Sequence, residues 1–171
     1  MSLEQAFVTV DKSCHNLKTF DCGNSSMNMF LARYATKHSK LGLSRTYVLA
    51  EQKKEAKTDI AAYYTLTAST VTRVEIPSTQ KSLPTYPVPV VMLARLAVDK
   101  EYQGTGLGAK TLVYALRQSA HLSKAGLPAY GLILDVIDAK ALAFYKHFEL
   151  FDSFTNNPMR LFVAMKTLED I

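Results

Sequence analysis

Apolar and polar positions along the chain predict a mixed α/β fold. Residues 45–51 and 60–69 are rich in β-branched and aromatic side chains and flank a charged turn at 52–59, as the strands of a hairpin do. Residues 90–98 form a nearly continuous apolar run, which is typical of a strand buried on both faces. Shorter strands are predicted at 8–10, 132–137, 151–155 and 160–166.

Three further segments carry apolar residues at helical spacing. The first is capped by Asn24 or Ser25 and runs to about Lys37. The other two helices are predicted at 107–121 and 139–148.

The rest of the chain is consistent with one compact domain. Residues 71–89 are rich in Pro, Ser, Thr and Lys and are predicted to be a loop. No repeat or linker interrupts the 171 residues, so a single domain over 1–171 is expected.

A glycine-rich loop, Gln103-Gly104-Thr105-Gly106-Leu107-Gly108, lies between the apolar strand and the second helix. Alternate glycines let backbone N–H groups approach an anion closely, and the helix N-terminus behind them adds partial positive charge. The loop therefore predicts a site for a phosphate-bearing ligand.

Three known phosphate motifs compete for this loop. A P-loop nearly fits Gly104 to Thr111, but Ala109 replaces the second glycine and too few residues follow for such a domain. The dinucleotide motif G-x-G-x-x-A also fits, but a charged spacer separates it from the strand and no acid follows at the expected distance. The acyl-CoA pattern Q/R-x-x-G-x-G/A fits without exception, through Gln103, Gly106 and Gly108.

Further motifs accompany this loop along the chain: Phe20–Gly23, Met27–Leu31, Ala62–Leu66, Ala94–Asp99 and Ala141–Lys146. Together they resemble the GCN5-related N-acetyltransferase (GNAT) family, and in particular the GNAT toxins of bacterial toxin–antitoxin pairs of the TacT and AtaT kind. The resemblance spans about Phe20 to Met165. It implies an α/β GNAT fold, with a mostly antiparallel sheet of six or seven strands, flanking helices and a splayed central strand pair.

Tyr145 is the candidate general acid for an acetyl transfer from acetyl-CoA. It lies two helical turns after Asp138, and its ordinary pKa near 10 keeps the phenol protonated at neutral pH. The family's matching tyrosine has the same role. Two positions depart from the family: Asp138 stands where many relatives have Asn and is also a candidate helix cap, and Glu149 stands where relatives often have Gly.

The resemblance also implies which residues bind acetyl-CoA. Backbone groups of the apolar strand would contact the thioester carbonyl and the pantetheine arm, and N–H groups of the loop would hold the pyrophosphate. Helix residues near Tyr145 would complete the contacts. The cofactor-binding residues are Leu96, Ala97 and Val98 on the strand, Gln103, Gly104, Thr105, Gly106, Leu107, Gly108 and Ala109 in the loop, and Asp138 and Leu142 before and within the last predicted helix.

The net charge of the chain indicates what kind of molecule could receive the acetyl group. The net charge is +5 and the isoelectric point is near 9.1, which favours a polyanionic partner. The resemblance implies acetylation of the α-amine of aminoacyl-tRNA, with Arg33, Lys37, Arg45 and Arg95 as candidate RNA contacts. The strand at 90–98 carries no carboxylate, so we hypothesise that the acceptor is an α-amine that needs little help from a base.

Two other functions remain open from the sequence: a GNAT that acetylates a protein N-terminus or a small amine, and a non-catalytic nucleic-acid or regulator-binding module. The resemblance implies a homodimer and a ribbon–helix–helix-type antitoxin. The four histidines are scattered and the two cysteines lack CxxC spacing, so no metal is expected. Without a long apolar run or a signal-like N-terminus, a cytoplasmic bacterial protein with no membrane contact is expected.

Overall fold

The computed structural model describes residues 2–53, 55–77 and 83–171. Within these residues eight strands are hydrogen-bonded in the order β1-β3-β4-β5-β6-β8-β7, with β2 beside β4. The sheet is mostly antiparallel, which confirms the predicted fold class. The strands are β1 (Val8–Thr9), β2 (His15–Asn16), β3 (Arg45–Ala50), β4 (Thr58–Val71), β5 (Val88–Val98), β6 (Gly131–Asp135), β7 (Asp152–Ser153) and β8 (Arg160–Ala164).

Helices connect these strands. In the described ranges, no helix is long and apolar enough to cross a membrane. The helices are α1 (Ser25–Met29), a π-helix (Phe30–Tyr34), α2 (Ala35–Leu41), a 3-10 helix (Lys100–Tyr102), α3 (Leu107–Ala125), α4 (Ala139–Lys146) and α5 (Met165–Leu168).

The residues group into two compact units. The first unit comprises the chain up to Thr67 together with Arg95–Ala115, and the second comprises Ala68–Ala94 and Leu116–Ile171. Strands β4 and β5 and helix α3 each contribute residues to both units. The glycine loop therefore belongs to the first unit and α4 to the second.

The first unit is built on the predicted hairpin. Strands β3 and β4 pair antiparallel from Arg45↔Leu66 to Ala50↔Ile60, with a register shift after Leu49. Thr46 and Thr65 face each other in this pair, and their buried hydroxyl groups are hydrogen-bonded at 2.8 Å. Apolar side chains from the helix at 25–41 and from β5 cover the hairpin. One core cluster contains Val10, Phe20, Phe30, Leu31, Ala35, Val48, Ile60, Tyr63 and Ala97.

The helix at 25–41 begins where the sequence predicts. The Asn24 side chain accepts a hydrogen bond from the backbone N–H of Met27 at 3.1 Å, which satisfies one of the free donors of the first turn. The helix continues past the predicted end at Lys37 to Leu41. It stops at Gly42, which has the left-handed φ of 75° that glycine adopts without a steric penalty.

The second unit contains the parallel pairing of β5 with β6. Register partners run from Val90↔Gly131 to Met92↔Ile133, whereas β5 continues to Val98 and β6 to Asp135. Strand β6 pairs antiparallel with β8 along its whole length. The Arg160 guanidinium donates to both carboxylate oxygens of Asp135, at 2.7 and 2.9 Å, and the pKa of Arg160 is raised by this partner.

Three details correct the sequence predictions. The sheet has eight strands rather than six or seven, because two-residue strands such as β2 are too short to produce a periodic pattern. Strand β5 is not buried on both faces: Val91, Met92 and Leu96 are half-buried, since an apolar run alone does not show how much of each face is covered. The strand predicted to reach Lys166 ends at Ala164, and α5 follows. The predicted loop at 71–89 lies partly outside the described residues, at 78–82.

Gly131 offers a test of packing in the second unit. An added Cβ would lie 2.5 Å from the ring of Phe162 and 2.6 Å from the backbone oxygen of Val163. We expect Gly131→Ala to lower the free energy of unfolding by about 1–3 kcal/mol, the usual cost of overpacking a core. Denaturant unfolding measures this change. Gly126→Ala is the control because no atom lies within 4 Å of its added Cβ, and an equal loss in both variants would contradict the explanation.

Candidate active site

The glycine loop has the backbone that its sequence predicts. Gly104 and Gly106 have φ angles of 79° and 86°, in the left-handed region, and an added Cβ at either position would enter open space. Helix α3 begins at the buried Leu107, and its first regular bond runs from the Lys110 N–H to the Gly106 carbonyl at 3.2 Å. The N–H groups of the first helical turn have no partner within the helix, so they can bind an anion.

Gln103, the first residue of the acyl-CoA pattern, directs its side chain into the protein fold. Its Nε2 donates to the carbonyl of Val98 at 2.8 Å and to the carbonyl of Cys22 at 2.9 Å. One hydrogen bond closes the turn between β5 and the loop, and the other joins that turn to an N-terminal segment. The Nε2 group of Gln103 therefore holds the loop in place, and the predicted ligand contact of Gln103 stays a prediction.

The N-terminal segment held by Gln103 is the motif Phe20–Gly23. The Asp21 backbone N–H donates to Asp99 Oδ2 at 3.0 Å, and the Lys100 N–H donates to the Asp21 carbonyl at 2.9 Å. The Asp21 carboxylate accepts from the Gly23 N–H and from the Asn28 side chain, each at 2.9 Å, and these bonds lower the pKa of Asp21. The motif therefore stabilises the junction between β5 and the glycine loop through hydrogen bonds. Sequence reasoning missed this role.

The strand residues predicted to contact acetyl-CoA precede this junction. Ala97 and Val98 are buried, and Leu96 is half-buried. Their side chains pack in the first unit, where Ala97 and Val98 belong to its two core clusters. Any ligand contact from these two positions must therefore come from backbone N–H and carbonyl groups, as the resemblance implies.

In the second unit, Asp138 caps α4. Its Oδ1 accepts the backbone N–H of Ala141 at 2.8 Å, and its carbonyl accepts the N–H of Leu142 at 3.0 Å. The alternative role considered for Asp138, a helix cap, is therefore present in the structure. Contacts of Asp138 and Leu142 with acetyl-CoA stay predictions, and the side chain of Leu142 is half-buried.

Tyr145 lies in the last turn of α4 among aromatic rings. Its ring centroid is 5.1 Å from that of Phe144 and 5.9 Å from that of the buried Phe151. Burial among apolar groups raises the pKa of Tyr145 to about 12, because the charged phenolate is poorly solvated there. In the parts of the chain that the structure describes, the Tyr145 hydroxyl has no hydrogen-bond partner. Its proton is therefore available to a ligand.

The turn after Tyr145 has a left-handed backbone at Glu149, although no glycine stands there. Glu149 has a φ of 55°, a left-handed angle that is unfavourable for a residue with a Cβ. Its N–H donates to the Lys146 carbonyl at 3.1 Å, and the Phe148 N–H donates to the Tyr145 carbonyl at 3.3 Å. With glutamate at position 149, these two hydrogen bonds close the turn at the end of α4.

The four basic residues predicted to contact RNA all lie in the first unit, in different settings. The Arg95 guanidinium lies 3.9 Å from the centroid of the Phe30 ring and, among the described residues, has no carboxylate within 4.0 Å. Arg33 is exposed on the π-helix and lines a groove of about 810 Å³. Lys37 and Arg45 are exposed and do not line this groove. The groove is lined by Lys18, Thr19, Phe20, Asp21, Asn28, Met29, Ala32 and Arg33.

Two carboxylates in the described part of the first unit already have partners. The buried Glu51 accepts a 2.7 Å hydrogen bond from the Tyr102 hydroxyl through Oε1, and its Oε2 lies 2.8 Å from Lys53 Nζ. Asp59 accepts from the Asn16 amide at 2.8 Å and from the Thr19 hydroxyl at 3.1 Å. Over residues 2–53, 55–77 and 83–171, no group of His, Cys, Asp and Glu side chains is placed to hold a metal ion.

The mixed α/β fold is that of a GNAT acetyltransferase. Comparisons with known proteins show to which GNAT family the chain belongs. No family model matches the sequence. A tRNA-acetylating toxin of Mycobacterium tuberculosis is 29% identical over 152 residues, which cover 88% of this chain and 87% of the relative. A solved structure of a KacT mutant has a TM-score of 0.88 and 29% identity, with 99% of both chains covered.

The toxin AtaT, solved in complex with acetyl-methionyl-tRNAfMet, is 31% identical to this chain with a TM-score of 0.86. The match covers 98% of both chains. The chain therefore belongs to the TacT/AtaT family of GNAT toxins, and the resemblance drawn from the sequence is confirmed.

The protonation of Tyr145 can be measured directly. We expect its phenol to stay protonated at about pH 11, where a tyrosine with the ordinary pKa near 10 is mostly ionised, because burial disfavours the phenolate. The difference in near-ultraviolet tyrosinate absorbance between the wild type and Tyr145→Phe isolates this one phenol. A difference titration centred near pH 10 would contradict the burial effect.

Proposed function

We propose that this protein is an acetyl-CoA-dependent N-acetyltransferase toxin that acetylates the α-amine of aminoacyl-tRNA and thereby inhibits translation. The observation that carries the proposal is the Tyr145 hydroxyl. Its raised pKa keeps it protonated at neutral pH, and it has no hydrogen-bond partner among the described residues. Tyr145 lies on α4, whose first turn is capped by Asp138. The glycine loop supports it independently. So do the relatives: one is a tRNA-acetylating toxin, and AtaT was solved with acetyl-methionyl-tRNAfMet.

Acetyl-CoA fits the groups of the glycine loop. AtaT with its antitoxin AtaR was solved with acetyl-CoA bound, in a complex whose toxin is 31% identical to this chain. Here the open space around Gly104 and Gly106 would let the backbone approach a pyrophosphate, and the first N–H groups of α3 would donate to it. The backbone of Leu96, Ala97 and Val98 would hold the pantetheine arm and the thioester carbonyl.

Tyr145 would supply the proton that the reaction needs at sulfur. Acetyl-CoA contributes the activated acyl group, and the amine nitrogen forms a C–N bond as the C–S bond breaks. Tyr145 donates its hydroxyl proton to the departing thiolate, the nitrogen loses a proton to water, and water returns a proton to the Tyr145 phenolate. A phenol with a pKa of about 12 is fully protonated at neutral pH, as a general acid must be.

An α-amine acceptor accounts for the missing carboxylate base. A lysine amine has a pKa near 10.4 and needs a base to be deprotonated, whereas an α-amine titrates near 8 and its ester lower still. Strand β5 carries no carboxylate, and Glu51 and Asp59 are engaged by other side chains. This composition favours an aminoacyl ester over a lysine side chain.

We also propose which partners this protein binds and in which compartment it acts. AtaT was solved with the C-terminus of its antitoxin AtaR, and a KacTA–DNA complex is also known. A ribbon–helix–helix-type antitoxin would bind this protein in the same way. We further propose a homodimer, a single acetyltransferase domain over residues 1–171, and action in the bacterial cytoplasm, where charged tRNA is found.

The acceptor is tested with purified protein, charged tRNAs and radiolabelled acetyl-CoA. We expect label that remains with tRNA until mild base cleaves the aminoacyl ester and releases an N-acetylated amino acid. A model peptide with a free N-terminus and a lysine-containing peptide serve as competing acceptors. Label on either peptide but never on tRNA would refute the proposed acceptor.

Removal of the Tyr145 hydroxyl should slow the reaction without weakening acetyl-CoA binding. We expect Tyr145→Phe to lower kcat by about 10²- to 10⁴-fold, the usual contribution of a general acid. Calorimetric titration with acetyl-CoA should give the same Kd for both proteins. Tyr130→Phe is the matched control, because Tyr130 is also half-buried in the second unit and stacks on Phe162 at 5.9 Å. Equal losses in the two variants would exclude the role of Tyr145.

Gln103→Ala should loosen the loop that we propose holds the pyrophosphate. It removes hydrogen bonds to Val98 and Cys22, each worth about 1 kcal/mol, so we expect KM for acetyl-CoA to rise by up to about thirtyfold. The value of kcat at saturation should change little, since the Nε2 group bonds only backbone carbonyls of the protein. Gln5→Ala, at an exposed glutamine, is the control. A lower kcat with unchanged KM would count against this positioning role.

A further inference from the structure

A second cationic feature lies in the first unit, in a pocket of about 390 Å³ that we call the lysine pocket. It lies where β2 runs beside β4, next to the helix at 25–41. Among the described residues, no acidic side chain lines it. Its polar lining consists of Lys12, His15, Asn16, Lys18, Thr19 and Lys57.

The charges of the three lysines are available to a ligand. Among the described residues, none of these lysines has a carboxylate oxygen within 4.0 Å. Two neighbouring acids are held by hydrogen bonds: Asp11 accepts from the backbone N–H and hydroxyl of Ser13 at 2.9 and 2.7 Å, and Asp59 accepts from the pocket residues Asn16 and Thr19 at 2.8 and 3.1 Å. Because three lysines and no described carboxylate line the pocket itself, its lining carries a positive charge.

His15 supplies a fixed donor to the same pocket. Its side chain is only 7% exposed, and its Nδ1 accepts the backbone N–H of Asp11 at 3.1 Å. Nδ1 must then be unprotonated, so the proton of the neutral ring is on Nε2. Burial lowers the pKa of His15, which favours this neutral form. Nε2 has no acceptor among the described residues, and the residue lines the pocket.

The lysine pocket is continuous with the groove that contains Arg33. Both are lined by Lys18, Thr19 and Ala32. A ligand that lies along this surface meets ammonium groups in the pocket and a guanidinium in the groove. Such spacing of separate cations suits a polymer that carries one negative charge per unit, rather than a single compact anion.

We propose that the lysine pocket binds a phosphate group of the tRNA backbone, so that it grips the substrate at a point separate from the aminoacyl end. The lysines act as point charges for a phosphodiester oxygen, and the His15 N–H adds one directed hydrogen bond. This inference rests on the proposed function, since it names a contact for the same substrate. Because these contacts are to phosphate oxygens and not to bases, they add affinity for tRNA without selecting a nucleotide sequence.

The test compares binding of uncharged tRNA by the wild type and by a Lys12→Gln/Lys57→Gln variant over a range of salt concentrations. We expect the variant to bind about tenfold more weakly at physiological salt. We also expect the slope of log K against log salt to fall by about 1 for each lysine that contacts a phosphate. Lys124→Gln/Lys166→Gln, which removes two exposed lysines of the second unit, should leave both quantities unchanged. Thermal unfolding and the Kd for acetyl-CoA should be the same in all three proteins.

Two further measurements distinguish tRNA from other anionic ligands of the lysine pocket. Inorganic phosphate is titrated against the His15 imidazole signals by NMR, and a glutamate-rich peptide replaces tRNA in the binding assay. Unchanged tRNA affinity and salt slope in the lysine variant would overturn the proposal, as would lost binding of only phosphate or only the peptide. If the wild type binds tRNA but never acetylates the aminoacyl group of charged tRNA, the proposed function is refuted. The binding comparison would still test the lysine pocket, because it does not depend on acetyl transfer.

Discussion

The structure of the candidate site depends on one side chain, the carboxamide of Gln103. Its two N–H groups join the carbonyl of Val98 at the end of β5 to the carbonyl of Cys22, far away in the sequence. Asp21 and Asp99 add backbone hydrogen bonds to the same junction. The glycines can then leave their own N–H groups free for an anion, because the geometry of the loop is maintained by groups outside it. A loop of glycines without this support would have to be ordered by its ligand, at an entropic cost.

The two units contribute different physical chemistry. The first offers backbone donors in the glycine loop, positive charge in side chains such as Arg95 over the Phe30 ring, and a hydrogen-bonded scaffold. The second offers an apolar environment, in which Tyr145 keeps its proton because ionisation would be poorly solvated. Binding an anionic ligand and retaining a weak acid require opposite surroundings, and the chain meets both requirements with separate segments.

Features with a local origin could be predicted from the sequence. The Asn24 cap, the β3–β4 hairpin, the glycine loop and the position of Tyr145 all depend on residues within a few positions of one another. Features that depend on distant partners could not. The use of the Gln103 side chain depends on a carbonyl 81 residues away, and neither propensity nor spacing encodes such a contact. The π-helix at Phe30–Tyr34 and the half-exposed face of β5 likewise depend on the groups that pack against them.

Glu149 makes the end of α4 dependent on the rest of the fold. Its left-handed backbone would be a natural helix stop for glycine, but for glutamate it is a conformation that the isolated segment disfavours. Local preference therefore does not end the helix at this point, and the turn must be held by tertiary contacts, including the buried Phe151 against the Tyr145 ring. The end of α4, and with it the placement of Tyr145, therefore depends on the packing of the second unit as well as on the local sequence. A substitution in that core can shift the tyrosine without touching any residue next to it in the sequence.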